Sequence, residues 1–163
     1  MKTAKKVLMA LDYNPNATQI AKIGFSFAKA MDAEITLLHV VENEVYYTSF
    51  MTSPITGFGS FDSATFYQYM NSEGLSDAAN YYLNKVKDHL DDQSIKILVE
   101  NGEFAKVILE TATHLKADLI IMGSHSQRWL EQILIGSTTE TVLNHTSIPL
   151  LIIPNKKRKE SHK

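Results

Sequence analysis

The sequence predicts a doubly wound α/β domain of five parallel strands with helices on both faces. Three observations carry this reading. Short apolar runs alternate with helix-period segments along most of the chain, and that alternation is the signature of βαβ units around a parallel sheet. The first 41 residues already read strand, helix, strand. Leu119 to Met122 is a continuous apolar run closed by Gly123, as expected of a strand covered on both faces.

Taken in order, Lys6 to Leu11 is the first strand, ending at Asp12, and Asn14-Pro15-Asn16 supplies turn and helix-start chemistry. Ile20, Ile23, Gly24, Phe27, Ala28 and Met31 then recur at helical spacing, while Gln19, Lys22, Ser26 and Lys29 face water. Ala33 to Val41 is the second strand. Glu44 to Phe66 mixes Tyr46, Tyr47, Phe50, Phe58, Phe61 and Phe66 with serines, threonines and glycines without a clear period. Loops this long are uncommon in compact domains, and disordered segments are poor in aromatics, so Glu44 to Phe66 reads as a loop packing its own aromatics over the sheet edge, with a partner or ligand lid as the alternative. A second helix puts Ala79, Leu83, Val86 and Leu90 on one face, with a start upstream of Ser76 open. Ser94 to Val99 is strand three, and Asn101-Gly102 turns the chain into a helix whose stripe is Phe104, Val107, Ile108, Thr111, Ala112 and Leu115. After strand four, a helix runs from Ser137 to about Asn144, and Pro149 to Ile153 is a fifth strand. Proline at its start suggests an edge position.

The stretch from strand four to the last helix is where chemistry concentrates. Gly123 stops the strand, Ser124, His125 and Ser126 supply small or polar groups, and Gly136-Ser137 precedes an apolar-periodic segment with Glu140 three residues after Ser137. Ser-x-x-Glu is a capping box, which predicts that Ser137 opens the helix. A strand end, a flexible loop and a helix N-terminus bring free N–H groups and a positive dipole end to one point, so phosphate is the first ligand to consider.

Gly123, two residues, Ser126, nine residues and then Gly136-Ser137 resemble the nucleotide-binding signature of the universal stress protein family, G-x2-G-x9-G-[S/T]. Ser126 stands where the family has its second glycine. Val7 to Asp12, His39-Val40-Val41 and Ile148 to Ile153 resemble the same family. The resemblance implies a sheet order of 3-2-1-4-5, and in that order strands one and four are neighbours at the topological switch point, where ligands of open α/β sheets bind. It further implies an adenine-nucleotide site: Asp12 on the ribose, backbone groups of Val41 at adenine, and Ala10, Met122, Gly123, His125, Ser126, Gly136, Ser137 and Thr138 completing it. ATP is the implied ligand, with ADP or AMP as alternatives and Mg2+ accompanying the triphosphate. A homodimer closed through Pro149 to Ile153 is also implied. An uncovered apolar edge tends to be paired, and a charge at Leu151 or Ile153, whichever faces the mate, is expected to break that contact.

Each assignment has a plainer competitor. Gly123 and Gly136 also suit backbone turns with positive φ, Asp12 suits a helix start, and His125 suits a solvent-facing position. Trp129 with Leu130, Ile133 and Leu134 suits core or flap packing.

Composition narrows the function classes. With 163 residues the chain is expected to form one domain, residues 1–155, that buries roughly 70% of its unfolded surface, followed by a basic tail over 156–163. A net charge of −2 and a pI near 6.3 argue against nucleic acid as a partner. The absence of cysteine excludes disulfides and thiolate sites, and the histidines show no ligand spacing for a metal. No window approaches a membrane span, so the expectation is a soluble cytoplasmic protein. There is no P-loop, no G-x-G-x-x-G after strand one and no G-x-S-x-G elbow. Lys106 and Arg128 are the cations nearest the motif in sequence, and neither lies within it, so the site is better equipped to hold a nucleotide than to cleave one quickly. The competing classes are a dimeric interaction protein of the same fold without nucleotide, which Ser126 favours, and a slow ATPase or autophosphorylating protein.

Overall fold

The computed structural model describes residues 4–14, 16–42, 72–124 and 136–155. The aromatic segment 43–71, the loop 125–135 and the tail 156–163 lie outside the described residues, and the expectations for them, including those for His125, Ser126, Arg128 and Trp129, lie there too.

Five strands, β1 (Lys5–Ala10), β2 (Ala33–Val41), β3 (Lys96–Asn101), β4 (Leu119–Gly123) and β5 (Leu150–Ile153), form one parallel sheet in the order β3-β2-β1-β4-β5. The described helices are α1 (Ala17–Ala30), α2 (Ser72–Leu90), α3 (Phe104–Leu115) and α4 (Ser137–His145). The predicted class and strand order are therefore the observed ones. Strand three sits two residues later than the pattern indicates, because a turn occupies its start: the Ser94 N–H donates to Asp92 Oδ1 at 2.9 Å and the Ile95 N–H to Asp92 O.

Side-chain alternation along the strands builds a core on each face of the sheet. Val7, Met9, Ile35, Leu37 and Ile121 pack with Ile20 and Ala21 of α1 and Leu83 and Val86 of α2. Leu8, Leu38, Val40, Ile120 and Met122 pack with Ile108 and Ala112 of α3 and Val142 of α4. The central strands β1 and β4 show near-continuous burial because both faces are covered. Asp118 clamps their entry: the Lys6 N–H donates to Asp118 Oδ2 at 2.8 Å and the Asp118 N–H returns to Lys6 O at 2.7 Å.

Strand β5 is an edge, as the prolines imply, and its side chains are divided. Ile153 is buried in the α1/α2 core, and Leu150 and Leu151 pack partly against the two cores, whereas Ile152 joins neither. A charge at Ile153 would therefore disrupt the core rather than report on a contact between chains.

The helix starts depart from the sequence reading in one respect. Helix α4 begins at Ser137 as predicted, but its N-cap is Gly136, with φ −64° and ψ 157° and no side-chain cap. The chain stays extended through residue 136, so Ser137 is already helical and the Ser137–Glu140 capping box falls one position too late to form. The Ser137 carbonyl instead accepts the Thr141 hydroxyl at 2.8 Å. Helix α3 is capped by a carboxylate: Glu103 accepts the Ala105 and Lys106 N–H groups at 3.1 and 3.0 Å, a favourable charge for a helix N-terminus.

Candidate functional site

The switch point lies between β1 and β4, and an open cleft forms just beyond their C-terminal ends. Its walls come from the exits of β1 and β4, the first turn of α4 and the chain after β5. Ala10, Asp12, Met122, Gly123 and Thr138 of the predicted set line it. Gly136 and Ser137 stand immediately before Thr138 at the helix start without lining the cleft themselves. Val41 does not line it. Its neighbour Val40 does, while Val41 is buried in a cluster with Leu75 and Ala79 and its carbonyl accepts the Gly102 N–H at 3.0 Å.

Gly123 serves close packing rather than an unusual backbone. Among the described glycines only Gly102 has a positive φ, 143°, so the turn explanation fails for both Gly123 and Gly136. A Cβ at Gly123 would stand 2.5 Å from Ile20 Cδ1, closer than carbon atoms approach, and Ile20 is a wall of the cleft. The missing side chain lets α1 close on the end of β4.

A polar latch holds the rest of the cleft wall. The Ser124 N–H donates to Ile153 O at 2.9 Å, the Asn155 N–H donates to Ser124 Oγ at 3.0 Å, and Asn16 Nδ2 donates to Asn155 Oδ1 at 2.6 Å. The start of the β4 loop, the exit of β5 and the start of α1 are thereby tied together. Thr139 Oγ1 reaches Gly123 O at 3.4 Å and links the first turn of α4 to the end of β4.

The exit of β1 has its own buried surroundings. The imidazole of His39 is 3% exposed and its Nδ1 lies 2.7 Å from Leu11 O. A carbonyl only accepts, so Nδ1 carries the proton. Burial lowers the His39 pKa from 6.5 to about 4, against an opposing effect of the Leu11 bond, so the ring is neutral at pH 7 and Nε2 is a bare acceptor. That nitrogen is the one buried side-chain N or O without a partner among the described residues. Tyr82 donates its hydroxyl to Asp12 O at 2.7 Å. Burial pushes the Tyr82 hydroxyl pKa well up, and the charge of Asp12 adds to it.

Electrostatically the cleft holds one carboxylate, Asp12, and no lysine or arginine among its described lining residues. Lys106 points elsewhere, with its Nζ 4.0 Å from Glu110. Among the described residues the available anion-binding elements are therefore dipolar. The first-turn N–H groups of α4 have no intrahelical acceptor and carry no side-chain cap. No group of three or more His, Cys, Asp or Glu side chains suited to a metal occurs among the described residues.

Sequence reasoning missed His39, Thr139 and Asn155, and it gave Ser124 only as a small polar group of the loop. A signal existed for His39 alone: a lone imidazole inside the otherwise apolar end of β2. Ser124 and Asn155 meet across 31 residues of chain, and no local pattern announces such a pair.

Comparison with known proteins agrees with this architecture. Residues 3–154 match the model of the universal stress protein family. Universal stress protein MJ0531 of Methanocaldococcus jannaschii is 31% identical over 159 residues, spanning 94% of this chain and 84% of that protein. The solved structure of the hypothetical protein MJ0577 superposes with a TM-score of 0.67 at 25% identity, over 96% of this chain and 99% of the other. A universal stress protein from Archaeoglobus fulgidus, solved in complex with dAMP, shares the fold with a TM-score of 0.59 at 13% identity, over 93% and 99% of the two chains.

Proposed function

The chain belongs to the universal stress protein family, and on that premise we propose that its switch-point cleft binds an adenine nucleotide, ATP in the first instance, with the protein acting as a binding and signalling module in the cytoplasm. The observation that carries the proposal is the uncapped N-terminus of α4, at the same crevice as Gly123 and the Asp12 carboxylate. Free N–H groups and the positive helix end suit phosphate. A carboxylate across the cleft suits the hydroxyls of a sugar, as acceptor to donor. The apolar wall made by Leu38, Val40, Phe104, Ile108 and Met122 suits a base.

The fit of a triphosphate rests on this chain's own groups. Gly136, Ser137 and Thr138 offer backbone N–H groups at the start of α4, and Ser126 is proposed to contribute its N–H and hydroxyl. No metal cage of protein side chains stands among the described residues, so Mg2+ is assigned to the triphosphate, which brings its own oxygen ligands. Without a cationic side chain on the described walls, the cleft is suited to holding a nucleotide, and fast phosphoryl transfer is not part of the proposal. The dAMP complex of the Archaeoglobus fulgidus relative is consistent with the same ligand class. No described helix is long and apolar enough to cross a membrane.

Two chains are proposed to associate through β5, which is the last of the described strands in the sheet order. A two-fold contact between copies would cover both edges at once.

Mass spectrometry of the natively purified protein tests the nucleotide assignment. Retained ATP, ADP or AMP is the expected result. Gly136→Val should abolish ATP binding while circular dichroism stays unchanged, because a branched side chain would crowd the N–H groups at the helix start. No retained nucleotide and no calorimetric ATP binding by the unaltered protein would leave the dimeric interaction module as the better reading.

A further inference from the structure

Two side chains outside the glycine motif hold the peptide on each side of Asp12. His39 Nδ1–H donates to Leu11 O and the Tyr82 hydroxyl donates to Asp12 O, both at 2.7 Å. These two carbonyls belong to the two successive peptide planes that flank the Asp12 Cα. Each plane is rigid, so fixing both fixes φ and ψ at residue 12 and with them the direction of its Cα–Cβ bond. The carbonyls lie just past the end of β1, where the regular ladder no longer supplies their partners.

The brace is itself clamped. The Tyr13 ring lies 4.3 Å from the His39 ring and 5.1 Å from the Tyr82 ring, and Tyr82 meets His39 edge-on at 5.8 Å. The three rings come from the β1 exit, β2 and α2, so the loop is pinned by elements on which the motif does not lie. His39 keeps Nε2 buried and unpartnered to make its single hydrogen bond, a cost that an apolar residue of similar size would avoid.

We propose that His39 and Tyr82 are positioning residues that orient the Asp12 carboxylate at the mouth of the cleft and so set the preference for a hydroxyl-bearing sugar. This rests on the reading of the cleft as a nucleotide site with Asp12 on the ribose. A role confined to stability would weaken all ligands alike. A positioning role weakens only those with the hydroxyls that Asp12 receives.

The test is isothermal titration with ATP and with 2′,3′-dideoxy-ATP. The unaltered protein should favour ATP about tenfold, the size of one well-placed hydrogen bond to a charged group. Tyr82→Phe removes only the hydroxyl, and it should bring that ratio close to one while leaving dideoxy-ATP affinity unchanged. His39→Leu should do the same, and His39→Asn, which can place an N–H where Nδ1 stands, should restore part of the ratio. Unchanged discrimination in Tyr82→Phe would overturn the inference while leaving the nucleotide site intact. Failure of the unaltered protein to bind ATP would instead overturn the nucleotide reading, and the inference with it. Hydrogen exchange of the ligand-free protein separates the brace from the ligand: amides of residues 12–14 should exchange faster in Tyr82→Phe, and equal rates would overturn the brace.

Discussion

Mild acid should destabilise this protein through one buried ring. His39 has a folded-state pKa of about 4 against an ordinary value of 6.5, with burial as the main cause. The unfolded chain takes up a proton near pH 6.5, whereas the native ring resists until about pH 4, so the unfolded state holds more protons between these values. The contribution is fully present above pH 6.5 and is lost as the pH falls toward 4. A gap of about 2.5 pH units corresponds to about 3 kcal/mol at the acid limit, of which about 2 kcal/mol is lost by pH 5. Native domains hold only about 5–15 kcal/mol, so the effect is measurable. Urea unfolding followed by circular dichroism at pH 7, 6 and 5 gives the stabilities, with His39→Asn as the non-titrating reference. The unaltered protein should lose about 2 kcal/mol more than the variant between pH 7 and 5. The difference should persist at high salt, because desolvation rather than a screened ion pair causes it. Parallel pH profiles for the two proteins would refute the reasoning.

Other substitutions test other joints of the fold. Gly102→Ala should destabilise by about 2 kcal/mol in denaturant unfolding, because residue 102 has φ 143° and its Cβ would stand 2.8 Å from Val107 Cγ2. Asn155→Ala should lower stability by about 1–2 kcal/mol by orphaning the Asn16 amide, and Asn155→Asp, which keeps an acceptor for Asn16 Nδ2, should recover part of the loss by the same measurement. Ile152→Lys places a charge on the edge strand at the one position packed into neither core, and light scattering should register a fall from dimer to monomer mass with the circular dichroism preserved. A monomer mass for the unaltered protein at micromolar concentration would remove the basis for the β5 association.

The class of fold was legible in the sequence because hydrophobic periodicity is a local property. Leu119 to Met122 is apolar at every position, as expected of a strand covered on both faces, and the stripe of α3 recurs at the spacing of a helix. Of the stripe expected for α1, Ile20, Gly24 and Ala28 are buried, whereas Phe27 and Met31 are exposed. Asn101-Gly102 announced its turn because glycine alone readily takes φ 143°. The sheet order came from resemblance to a family rather than from any pattern of residues.

Tertiary structure decided what depends on exact register and on distant partners. Whether Gly136 or Ser137 is the N-cap turns on one residue of extended backbone, and whether Val40 or Val41 meets the cleft turns on which face of β2 each occupies. Gly123 carries the same letter whether it serves a turn or admits a neighbouring side chain, and only the approach of Ile20 separates the two. The Asn16–Asn155 and Tyr82–Asp12 bonds join positions 139 and 70 residues apart. Such contacts leave no periodicity behind, because folding brings their partners together through the packing of other residues.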